Sequence, residues 1–131
     1  MKEVEPTQKE LDALTNILEP SLDPNLHDID YDEICKLAYT YLISLEKKYD
    51  KSIIVQQCMA DCAISSKIKC SHLEKAYNLC MLSGEKKFAL DMIEEILRDR
   101  EDYGFSEDEI NIWEMRKTQI KQRDTQGADR T

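Results

Sequence analysis

The chain has 131 residues, 41% apolar and 34% charged, with a formal net charge of −9. That length fits one domain with a core large enough to fold without staples, and the acidic balance argues against a basic face for nucleic acid. No run approaches the roughly 18 apolar residues of a membrane span, and the opening MKEVEPTQKE lacks the apolar centre of a secretory signal.

Charge is unevenly spread. Residues 1–33 hold ten acids against two lysines, and the rest of the chain carries only −1. A partner with a basic surface is electrostatically complementary to that first quarter. The five cysteines are an odd number. They read as reduced thiols in a reducing, cytoplasmic compartment.

Apolar spacing and end signals predict about six helices. The first spans Thr7 to Glu19, where Thr7 and Glu10 form a capping box and Leu11, Leu14 and Leu18 one stripe. Pro20 stops it, and Pro24 keeps the next stretch, SLDPNLHD, extended. The second spans Tyr31 to Lys48. Asp30 caps it, Glu33 takes the box position, Ile29 and Ile34 form a staple, and Ile34, Leu37, Ala38, Tyr41, Leu42 and Leu45 recur at helical spacing.

A third helix spans Ser52 to Ser66, with Ile54, Val55, Cys58, Met59, Cys62 and Ala63 inward and Gln56, Gln57 and Asp61 outward. The fourth spans His72 to Leu82, opened by a Ser71–Glu74 box and closed by Gly84. Ala89, Met92, Ile93, Ile96 and Leu97 stripe the fifth, Lys86 to Arg100. The sixth spans Glu107 to Gln122 and has the best-marked start, a Ser106–Glu109 box with a Phe105–Ile110 staple. Residues 123–131 are polar and read as a disordered tail, leaving 1–122 as a single helical domain. Short linkers between helices two and five imply antiparallel neighbours, so the expected fold is all-α, built of stacked helical hairpins.

The segment from Leu73 to Leu97 resembles one tetratricopeptide-type helical hairpin. Its turn is Ser83-Gly84-Glu85, Ala89 follows, and Ile93 stands where the family often has an aromatic. Tyr77 falls where the family prefers a small residue, and Glu101 where it prefers proline. The resemblance implies a helical-hairpin stack and a protein- or peptide-binding role, and it identifies no ligand residues.

Several constellations bear on chemistry. Cys58, Cys62, Cys70 and His72 have the right donor types for zinc, but their spacing is no known zinc signature, and free cysteine in an apolar stripe is a common small hydrophobe. Asp28, Asp30 and Asp32 alternate as calcium ligands do, yet the glycine a calcium loop needs is missing. Neither histidine lies in a nucleophile motif. No catalytic machinery, metal or cofactor is expected.

What remains is interface chemistry. Tyr39 lies beside the second helix's stripe, and Trp113 with Met115 lies on a thinly apolar last helix. The expected function is a non-enzymatic protein-binding module, an adaptor, assembly factor or chaperone-like protein. Its expected partner-binding residues are Asp28, Asp30, Asp32, Tyr39, Trp113 and Met115. The alternative is an acidic inhibitor or immunity-type protein that blocks a basic enzyme surface through Asp23–Glu33.

Overall fold

The computed structural model describes residues 4–129, with the side chains of residues 28–29 and 123–129 outside the described set. Among the described residues there are six α-helices and no strand: α1 Gln8–Leu18, α2 Asp28–Lys48, α3 Ile53–Asp61, α4 Ser66–Ser83, α5 Lys86–Arg98 and α6 Glu107–Asp129. A 3₁₀ turn, Glu19–Leu22, follows α1 at Pro20. Each helix packs chiefly on its chain neighbours, most extensively α3 on α4 and α4 on α5. The result is an all-α stack of antiparallel hairpins.

Local chemistry sets most of the ends. The Thr7–Glu10 box is formed in both directions, with Glu10 N–H donating to Thr7 Oγ1 at 3.2 Å and Thr7 N–H to Glu10 Oε1 at 3.0 Å. Ser106 and Glu109 make the same exchange at the start of α6. Gly84, at φ 78°, ends α4 in the left-handed region. There Glu85 N–H reaches Cys80 O at 2.8 Å, and Gly84 N–H reaches Met81 O at 3.4 Å, the two bonds of a Schellman ending.

Several helix limits differ from the sequence expectation. The third helix stops at Asp61, and the fourth begins at Ser66, six residues early, because Ser65 rather than Ser71 is the cap: Ile68 N–H donates to Ser65 Oγ at 3.2 Å. The early start places Lys69 against Asp99 at 3.4 Å and buries Cys70. Asp30 does not cap α2 either, since that helix begins at Asp28 after His27. The Ile29 staple lies outside the described side chains. The backbone of α6 continues to Asp129, past Gln122 and into the segment expected to be a tail.

The interior is two apolar clusters that share α3. One gathers Leu14, Ala38, Leu42, Leu45, Val55 and Met59 from α1, α2 and α3. The other joins Ala60 to Leu73, Ala76, Ile93, Ile96 and Trp113 from α4, α5 and α6. Leu37, expected in the α2 stripe, is 64% exposed.

The amino-terminal segment anchors this stack electrostatically. The Glu5 carboxylate accepts from Ile53 N–H at 3.0 Å and from Ile54 N–H at 3.3 Å, and the Ser52 hydroxyl also donates to it. An anion thus sits on the first turn of α3, where orphan donors and the helix dipole favour it. Glu10 similarly ties α1 to α2, accepting from Tyr49 Oη and pairing with Lys48 Nζ at 3.2 Å.

Candidate functional site

Between the two clusters runs a chain of polar side chains. Glu46 and Tyr39 come from α2, Gln56 from α3 and His72 from α4. Gln56 Nε2 donates to Glu46 Oε2 at 2.6 Å, Gln56 Oε1 lies 2.7 Å from His72 Nδ1, and His72 Nε2 lies 2.7 Å from Tyr39 Oη. Glu46 takes the Gln56 amide N–H, which leaves the amide oxygen facing His72. His72 Nδ1 therefore carries the ring proton and donates to Gln56. Its Nε2 accepts from Tyr39 Oη. The polarity of the whole chain follows from one carboxylate.

Electrostatics agree with that assignment. Burial pushes the His72 pKa below its ordinary value, and the Lys75 ammonium pushes the same way against an opposing pull from Glu46. Burial also raises the Tyr39 phenol, with Glu46 adding to it. Neutral imidazole and intact phenol are thus the favoured forms. His72 has both ring nitrogens engaged, so it offers no free lone pair for a metal or for general-base work.

Tyr39 stands at the edge of an open groove. Among the described residues no Cα of α2 comes within 8 Å of one in α4, so the Tyr39–His72 bond crosses a gap. Two depressions share Tyr39 and Ile68 on their walls. One, of about 320 Å³, is completed by Lys36, Thr40 and Ile64. The other, of about 550 Å³, reaches Ile43, Lys67 and Lys75. Ile64 is 69% exposed, and Ile43 and Ile68 are also open to solvent. Apolar side chains without cover between two helices are what a docking surface needs.

The cysteines are placed differently. Cys35, Cys62, Cys70 and Cys80 are buried, and burial pushes the Cys62 thiol up to about 12 and the Cys70 and Cys80 thiols up to about 11. Such thiols stay protonated near neutrality and are poor nucleophiles and ligands. Among the described residues no three His, Cys, Asp or Glu side chains are arranged to hold a metal ion.

The residues singled out from sequence do not converge. Tyr39 lines the groove. Asp30 and Asp32 are exposed on the first turns of α2, and the Asp28 side chain lies outside the described residues. Trp113 is a core side chain, 5% exposed, in edge contact with Tyr77 at 5.2 Å and covered by Arg116 at 4.5 Å. It therefore presents no docking face, whereas Met115 is exposed on the same helix. Gln56, expected to point outward, is 3% exposed. The polar chain through Glu46, Gln56 and His72 was missed. Its one sequence signal was an amide and an imidazole placed among apolar side chains.

Comparison with protein-family models, with curated proteins and with solved structures finds no match.

Proposed function

We propose that this chain is a non-catalytic protein-binding module that takes a segment of another protein into the groove between α2 and α4. One observation carries the reading: Ile43, Ile64 and Ile68 stay open to solvent around a tyrosine whose hydroxyl is fixed from below. A rigid anchor loses little side-chain freedom on binding, which favours affinity. The α4–α5 hairpin, with its glycine turn and the fully buried Ala89, supports the tetratricopeptide-like reading of that segment.

The test is a photo-crosslinking side chain installed at Ile64, with a control at exposed Phe88 beside Ile54 and Glu85. The expected result is an adduct of discrete mass at Ile64 that disappears when Ile68→Asp is added. Adducts at Phe88 alone, or adducts at Ile64 that survive Ile68→Asp, overturn the assignment to this groove.

The exposed Asp30 and Asp32 favour a second reading, the acidic inhibitor-type surface for a basic partner. In that case Asp30→Asn with Asp32→Asn weakens binding while Ile68→Asp leaves it intact, and salt weakens it strongly.

A further inference from the structure

Resting on that groove reading, we infer that the bound segment is a short amphipathic helix that sets an apolar stripe against Tyr39, Ile43, Ile64 and Ile68 and carries acidic residues over Lys67 and Lys75. Three features of the groove lead there.

Its two long walls are helices α2 and α4, with Ile64 added from the α3–α4 loop. An extended segment laid between them finds no strand edge to pair with, and its backbone donors and acceptors would lose water without replacement. A helix satisfies its own backbone and reads such a groove through side chains at i, i+3, i+4 and i+7. From Lys36 to Glu46 the α2 wall is about 15 Å long, and from Lys67 to Lys75 the α4 wall is about 12 Å long at 1.5 Å per residue. Two to three helical turns fill that length.

Two of the three cations along the α4 wall, Lys67 and Lys75, are not spent on this chain's own acids. Lys48 pairs with Glu10, Lys69 with Asp99 and Lys117 with Glu94. Lys36, on the opposite wall, pairs with Glu33. Lys67 and Lys75 are exposed, and neither has an ion-pair partner among the described residues. In a chain of net charge −9, two unpaired lysines two turns apart on one side of an apolar groove are a local reversal of sign.

Glu46 is the acid that lines the same depression as Lys67 and Lys75. It accepts from the Gln56 amide at 2.6 Å. Most of the net negative charge lies in residues 1–33, none of which lines that depression. The lining itself carries two lysines against one carboxylate, so the local balance of charge is positive.

The experiment uses the full chain and two labelled synthetic helical peptides. Both carry leucines at i, i+3 and i+7, and they differ only in having glutamates or lysines flanking the stripe. Fluorescence anisotropy gives affinities, and amide chemical shifts give the site. The glutamate peptide is expected to bind about tenfold tighter at low salt, the scale of two exposed ion pairs, with the gap closing as salt rises. In the Lys67→Glu/Lys75→Glu variant, with unchanged circular dichroism, the order inverts. Equal affinities, or a preference for the lysine peptide in the unaltered chain, with shifts confined to groove residues, overturn the acidic assignment and leave the groove standing. Shifts elsewhere on the molecule, or no binding of either peptide, overturn the groove reading along with it.

Discussion

Tyr39 donates its phenol proton to His72 Nε2 across 2.7 Å, and this bond joins α2 to α4 where their backbones stay apart. Removing the hydroxyl with Tyr39→Phe leaves a buried imidazole nitrogen without its donor. Leaving such an acceptor unsatisfied costs about 1–3 kcal/mol, and the half-exposed phenol ring lets water repair part of it, so the lower end is expected. Urea denaturation measures the loss. A variant as stable as the parent chain would show that the bond contributes nothing net.

His72 also makes stability depend on pH. Its folded pKa lies below the ordinary 6.5 because of burial and Lys75, with Glu46 opposing. The unfolded chain therefore takes up the proton first as pH falls. The contribution of neutral His72 is complete above about pH 6.5 and is lost as pH drops towards the folded pKa. Urea midpoints between pH 8 and 5 should decline for the parent chain and decline less for His72→Gln. Parallel profiles would remove His72 as the source.

Glu10 governs a lower window. Hydrogen bonds from Tyr49 and from the Thr7 backbone, with help from Lys48, hold its carboxyl down to about 2 against an ordinary 4.5. Its stabilising effect is complete above about pH 4.5 and fades as pH falls through about 2. Comparing acid unfolding of the parent chain with Glu10→Gln isolates this step from other carboxylates. The variant should be less stable near neutrality, and the difference should vanish below pH 2. A constant difference across the range would refute the linkage.

Trp113→Ala tests packing rather than docking. The indole contacts the Tyr77 ring edge-on at 78° and lies under Arg116. Emptying that site should cost about 3–5 kcal/mol and speed amide exchange along α6 first. Trp113→Phe should recover much of it. A loss below about 1 kcal/mol would place the indole outside the core.

Much of the helical layout was legible from sequence because its signals are local. The Thr7–Glu10 and Ser106–Glu109 boxes and the Gly84 stop act within a few residues, and each formed as read. The junction near residues 61–66 is not legible from sequence because Cys62, Ala63 and Ile64 prolong the apolar run of α3, and Ser65 and Ser71 both look like caps. Tertiary gain selects Ser65, since only the longer α4 brings Lys69 to Asp99. The groove and its polar floor were not legible beyond Tyr39. Gln56 is buried because His72, sixteen residues on, meets it, and no local pattern encodes that meeting.

Helix α3 has nine residues and faces two ways, giving Val55 and Met59 to one cluster and Ala60 to the other. Neither pair of flanking helices owns a private inner wall. A cut through the loop at residues 62–65 would force both fragments to compete for the same short rod, and at most one would keep it. Melting should accordingly be a single event across the stack, with no hairpin excisable as a free-standing piece.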